Sequence, residues 1–212
     1  MQTILKKVND KNVILYLDDT LKQDILTTYT LTFDEGNWYF DELEKAITHV
    51  NTLIDIGAYV GDTAIYFTLF KPFKKYILIE PNTYLHYIMI RNLLANNIKE
   101  FIIYPLAIGK SGYYFAYNDR PAINEGLITE HTGSVYVHAV QGLYPIFSFE
   151  REPSLIKIDC ESSCLNYFSP IDFVTGDVVL IEVNNHEQCK KITGREYIYK
   201  KFKETYNCLV YI

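Results

Sequence analysis

From residue 52 onward the chain alternates short apolar runs with longer amphipathic ones. Thr52–Ile56 (TLIDI), Lys75–Glu80 (KYILIE), Glu100–Tyr104 (EFIIY), Ser154–Asp159 (SLIKID) and Asp177–Glu182 (DVVLIE) are short and apolar almost throughout. Runs of this kind predict strands buried on both faces. Between them, Gly61–Phe70 and Asn82–Asn96 predict helices, the second with Leu85, Ile88 and Leu93 on its inner side. Such alternation predicts an α/β architecture: a doubly wound, mostly parallel sheet with helices on both faces.

Residues 1–50 have another rhythm and are read as a small N-terminal accessory cap on a core of residues 51–212, within one domain. Val13–Leu17 predicts a strand. Thr27–Phe33 alternates and is rich in Thr and Tyr, which predicts a second. Phe40–Val50 sets Leu43, Ala46, Ile47 and Val50 on one helical face, with Asp41 and Glu44 spaced as a capping-box variant. Tyr113–Tyr117 and Ser134–Val140 predict extra strands or a hairpin within an irregular insert, residues 113–148. Arg195–Tyr206 predicts a last helix, and Cys208–Ile212 an antiparallel C-terminal strand at or near the edge. No fixed-period repeat or Pro/Gly/Ser linker divides the chain.

The 212 residues are 49% hydrophobic and 22% charged, enough for one buried core. Net charge is −6 and no block of Lys and Arg stands out, so general nucleic-acid binding is not expected. Charges interrupt the apolar runs of MQTILKKVNDKNVILYLDD, so no signal peptide is read there. No apolar run reaches bilayer length, and a cytoplasmic protein without membrane association is expected. Cys160, Cys164, Cys189 and Cys208 are accordingly expected to be reduced. The spacing of Cys160 and Cys164 is not that of a CxxC pair, and no second tight pair completes a zinc site.

The segment Asp55-Ile56-Gly57-Ala58-Tyr59-Val60-Gly61-Asp62-Thr63 leaves an apolar strand and opens a helix. Glycines let such a backbone turn sharply without a Cβ in the way. The helix N-terminus offers N–H groups and partial positive charge to a ligand's carboxylate or phosphate. Glu80 ends the next strand, 23 residues after Gly57. A carboxylate there is placed to accept the ribose hydroxyls of an adenosyl ligand. The dinucleotide fingerprint GxGxxG needs a central glycine, and Tyr59 stands in its place. A nicotinamide-dependent oxidoreductase is therefore disfavoured. The GK[ST] ending of a P-loop is absent as well. The acid-x-Gly-x-x-x-Gly form is that of enzymes using S-adenosylmethionine (SAM).

The segments LIDIGAYVGDTAIYF, LIEPNTYLHYIMIRNLLANN, YPLAIG, LIKIDCES and LIEV follow one another between Thr52 and Val183. In these the chain resembles the FkbM-type SAM-dependent methyltransferases, a class I, Rossmann-like family. The resemblance implies that Asp55, Gly57 and Gly61, with Ala58 and Tyr59 between the glycines, surround the methionine part of SAM. It implies that Glu80 holds the ribose, that Asn82 faces the adenine, and that Leu106 and Ala107 border the adenine ring. Asp159 would face the methyl-transfer site, with Glu161 close by, as the candidate catalytic acids. The family's usual KIDVEG continues to a further acid; here Ser162 replaces the glycine and Cys164 the acid.

Methyl transfer requires an acceptor held in line and relieved of its proton. Asp159 or Glu161 could serve as that base if burial raises its pKa. His186, after the fifth core strand, is a further candidate base. Asp159, Asn184 and Asn185 could offer oxygen ligands to Mg²⁺, but such groups are common at strand ends, and no metal is assigned. No Asp/Asn-Pro-Pro-aromatic run follows the fourth strand, which favours an oxygen acceptor. The expected activity is O-methylation of a small-molecule or sugar hydroxyl. The alternative is a catalytically degenerate SAM-binding module. Trp38 and Tyr39 are expected to anchor the cap rather than line the pocket. The sequence leaves the oligomeric state open.

Overall fold

The computed structural model describes residues 2–8, 10–116, 128–129, 135–147, 151–160 and 164–212. Strands β1 (Gln2–Val8) and β2 (Lys11–Leu17) form an antiparallel pair turning at Asp10, whose φ is +61°. Helix α1 (Lys22–Tyr29) runs on into a π-helical segment, Thr30–Asp34. Helix α2 (Leu43–Ala46) is one turn, closed by a 3₁₀ turn at Ile47–His49. Next come β3 (Thr52–Ile56), α3 (Asp62–Phe70), β4 (Lys75–Ile79), α4 (Thr83–Ala95) and β5 (Phe101–Tyr104). A side sheet contains β6 (Leu106–Ile108), β7 (Gly112–Ala116), β8 (Ile128–Thr129) and β9 (Val135–Val140), in the order β6-β9-β7-β8. The chain ends with β10 (Ser154–Ile158), β11 (Val178–Val183), α5 (Glu187–Thr193), β12 (Tyr197–Phe202) and β13 (Thr205–Tyr211).

The main sheet has seven strands in the order β12-β13-β11-β10-β3-β4-β5. Strands β11, β10, β3, β4 and β5 pair in parallel, while β13 runs antiparallel to both β11 and β12. The winding direction reverses between β3 and β10. In open α/β sheets the ligand crevice lies outside the carboxyl ends of the strands at such a point.

Side chains alternate across the sheet. Leu53, Leu78, Leu155 and Leu180 enter one core cluster; Ile54, Ile56, Ile77, Ile79, Ile156 and Ile158 enter the other. The leucine face is covered by α3, α4, the β1–β2 hairpin, α1 and Trp38. The isoleucine face is covered by α5 and by Leu143, Leu165, Phe168 and Phe173. Helix α4 pins the hairpin through Asn92 and its C-cap residue Asn96. Asn92 Oδ1 accepts from Tyr16 N at 2.7 Å, and Asn96 Oδ1 accepts from Ile14 N at 3.0 Å.

Several expectations are corrected. Thr27–Phe33 is helical, not a strand: Ile25, Tyr29, Thr32 and Phe33 are the buried positions, a helical spacing. Thr27 and Thr30 donate their hydroxyls to the carbonyls of Gln23 and Leu26, one turn back. No side-chain cap forms on α2, so Asp41 and Glu44 make no capping box there. Residues Tyr197–Phe202 form a strand rather than the last helix. Gly194, at φ +69°, ends α5, and the aromatic-rich run beyond it pairs with the free edge of β13.

The cysteines are paired rather than reduced, as Cys160–Cys164 and Cys189–Cys208, with Cα separations of 6.0 and 6.5 Å. Both lie in the range a disulfide spans. Packing of α5 against β13 brings Cys189 and Cys208 together, which spacing along the chain does not reveal. Among the described residues, no helix is long and apolar enough to cross a membrane.

Candidate functional site

The turn after β3 carries three left-handed residues in five: Gly57 at φ +75°, Tyr59 at +48° and Gly61 at +78°. A Cβ on Gly57 would lie 1.8 Å from the carbonyl oxygen of Asp159. The turn therefore abuts the end of β10, and only glycine fits. A Cβ on Gly61 would meet Met89 Cγ at 3.1 Å, so this glycine lets the turn pack on α4. The Asp159 carbonyl thus requires glycine at position 57, and the left-handed backbone favours it at position 61.

Four N–H groups of the turn have protein acceptors. Gly57 N and Ala58 N donate to Ile79 O at 2.9 and 3.2 Å, and Gly61 N donates to Ala58 O at 2.7 Å. Tyr59 N donates to Glu80 Oε2 at 2.9 Å, and Asn82 N donates to Glu80 Oε1 at 2.8 Å. The two N–H groups thus hold the Glu80 carboxylate at the carboxyl end of β4, where it is 5% exposed. Each of its oxygens keeps a lone pair for one more donor.

Asp55 and Lys157 face each other in the parallel register of β3 and β10. Lys157 Nζ donates to Gly57 O at 2.8 Å and lies 3.2 Å from Asp55 Oδ1 and 3.5 Å from Asp159 Oδ2. It sits 5.4 Å over the ring of Trp38, itself buried. Thr63 donates its hydroxyl to Asp55 Oδ2, while the ion-pair contact leaves Oδ1 without a hydrogen bond. Thr32 donates to Asp62 Oδ2 at 2.6 Å.

Burial dominates the charges here. It pushes the Glu80 carboxyl up to about 7, against the N–H groups that stabilise the anion. It pushes Asp62 up to about 6, against the Thr32 hydroxyl. It raises Asp55 too, with Lys157 and Thr63 acting the other way. Burial alone would lower Lys157, but Asp55, Asp159 and Asp62 together hold it above its ordinary value. Two carboxyl groups, those of Asp55 and Asp159, thus lie within ion-pair distance of one ammonium at the switch point, and Asp62 adds to the negative charge that holds it. That balance suits a cationic ligand and opposes a pyrophosphate.

The structure brings Asp55, Gly57, Ala58, Tyr59, Gly61, Glu80 and Asp159 together. Tyr59 packs its ring on the leucine-face cluster, where its hydroxyl is buried without a hydrogen-bond partner. Asn82 is 1% exposed, and its Oδ1 caps α4 by accepting from Tyr84 N. Leu106 and Ala107 begin β6, just beyond Tyr104, whose carbonyl accepts from Glu80 N at 3.1 Å. Asp159 is not buried: its side chain is 37% exposed. Glu161 and Ser162 lie outside the described residues, as do Tyr117, His131, Ser134 and Ser148. Cys164 is buried and disulfide-bonded. His186 stacks on Tyr199 at 4.1 Å, and its Nδ1 lies 2.9 Å from the Tyr197 hydroxyl. Lys157 had no expected role. Its signal was a lysine inside the apolar run SLIKID, on a strand buried on both faces.

No protein-family model and no curated protein matches the chain. Solved structures resemble it in fold. One is the Escherichia coli protein yhhF, provisionally described as a methyltransferase. It is 12% identical, over 97% of this chain and 96% of that one, with a TM-score of 0.51. Another is a conserved hypothetical protein from Streptococcus pyogenes, 12% identical over 87% and 95% of the two chains, with a TM-score of 0.50. At this identity the likeness is one of fold.

Proposed function

We propose that this chain binds SAM at the carboxyl end of its sheet and transfers the methyl group. The observation that carries the proposal is the nearly buried Glu80 carboxylate, held by Tyr59 N and Asn82 N beside an acid-rich turn. Its remaining lone pairs can accept two ribose hydroxyls. The part-exposed Asp159 favours a ligand bearing positive charge and disfavours a pyrophosphate. The residues therefore fit SAM better than a dinucleotide. When bound, SAM supplies an already activated methyl group on a sulfonium. The protein's task is to hold the acceptor in line and keep water out.

Membership of the FkbM-type family rests on the order of the sequence motifs. A hydroxyl of a small molecule or sugar as acceptor rests on the same resemblance, which is analogy. One observation favours the alternative of a SAM-binding module without catalysis. The family's further acid is replaced by Cys164, which is buried in a disulfide and cannot act as a base.

The test is thermal unfolding with and without S-adenosylhomocysteine, on the wild type and Glu80→Ala. Saturation a hundredfold above the dissociation constant should add about 2.7 kcal/mol of stability. The rise should vanish in the variant. No rise in the wild type at millimolar ligand would sink the proposal. Methyl transfer to a panel of hydroxyl compounds then separates the enzyme from the silent binding module.

A further inference from the structure

We infer that Lys157 is a positioning residue of this cofactor site, acting on the ligand through Asp159. The inference rests on the SAM-binding proposal above.

Lys157 occupies a strand whose residues are all buried, and it is 1% exposed. A buried ammonium is costly unless its donors are satisfied and its charge offset. Here Gly57 O, Asp55 and Asp159 surround Nζ, and Trp38 covers another side. As a device for stability this arrangement is weak, because apolar residues of similar size are often as stable as a buried ion pair. Its location is more telling. One ammonium ties together the first turn, through Gly57 O, and the end of the fourth parallel strand, through Asp159. These two segments are already in contact, since Gly57 has no room for a Cβ against the Asp159 carbonyl.

Asp159 differs from its companions. Asp55 is fully buried, whereas the Asp159 side chain is 37% exposed. Asp55 and Lys157 largely offset each other inside the sheet. Asp159 remains the carboxylate that a cationic ligand can reach, with Oδ2 tethered to Lys157. Such a tether fixes the rotamer before the ligand arrives, so less side-chain freedom is lost on binding.

The experiment is a double-mutant cycle on the full chain, with S-adenosylmethionine, which carries the sulfonium charge, as the probe and calorimetry as the readout. Lys157→Met and Asp159→Asn should each weaken binding about tenfold or more, and the double variant should be no weaker than either single one. Lys157→Arg, which keeps the charge, should recover part of the loss. Additive losses in the cycle, or unchanged binding in Lys157→Met, would overturn the positioning role while leaving SAM binding intact. A wild type that binds no probe would overturn both. If Lys157→Met does not fold, ¹³C-lysine NMR decides. The Lys157 ε-methylene signal should shift on addition of the probe to the wild type and not to Asp159→Asn. A wild-type signal that ignores the probe, or an equal shift in Asp159→Asn, would overturn the inference.

Discussion

Gly57 and Gly61 share a left-handed backbone but not the same surroundings. A methyl at Gly57 would strike a backbone oxygen that cannot move without breaking the end of β10. A methyl at Gly61 would meet the flexible side chain of Met89. Gly57→Ala should therefore destabilise by about 3 kcal/mol or more, and Gly61→Ala by about 1–2 kcal/mol. Urea denaturation would compare the two. Asp62 makes a second prediction. Its folded carboxyl titrates at about 6, above the ordinary 3.8. Between those values the folded chain keeps a proton that the unfolded chain has released. Stability is then lost as pH rises through the window, by up to about 3 kcal/mol. Asp62→Asn should flatten this slope, as chemical denaturation at a series of pH values would read. Glu80 shifts in the same sense, so affinity for S-adenosylhomocysteine should grow as pH rises through about 7 and its carboxylate ionises.

Among the elements, α4 does more than cover the sheet. Asn92 accepts from Tyr16 N and donates to Val60 O and the Tyr29 hydroxyl. It thus joins the β1–β2 hairpin, α1 and the turn below Gly61 to one helix. Asn92→Ala would leave these groups buried without partners and should cost about 3 kcal/mol. Hydrogen exchange should then show the β2 amides opening before those of β3 and β10. The periodicity of α4 was legible in the sequence, but the work of its asparagines was not, because their partners lie far away along the chain.

Across the whole molecule, both disulfides belong to the isoleucine face. Cys160–Cys164 closes the segment after β10, and Cys189–Cys208 ties α5 to β13. Cys189 and Cys208 are both fully buried, so their bond should resist reductant longer than the half-exposed Cys160. Thiol titration of the native protein should find no free cysteine, and full reduction should lower the melting temperature. Free thiols in the native chain would refute the pairing.

The sequence by itself determined the parallel core. Five short apolar runs separated by helical ones have few other ways to bury themselves. It also determined the places of Asp55, Gly57, Gly61 and Glu80, because these sit at strand ends where local spacing fixes position. Only the tertiary structure decided the rest. The run Thr27–Phe33 alternates like a strand, yet packing against the leucine face selected a helix. The run Tyr197–Phe202 followed the free edge of β13 rather than its helical pattern. The Cys189–Cys208 pair and the pairing of Lys157 with Asp55 depend on packing and register between elements distant in sequence. Local propensity describes what a segment can do alone; burial against partners and a shared register decide what it does in the fold.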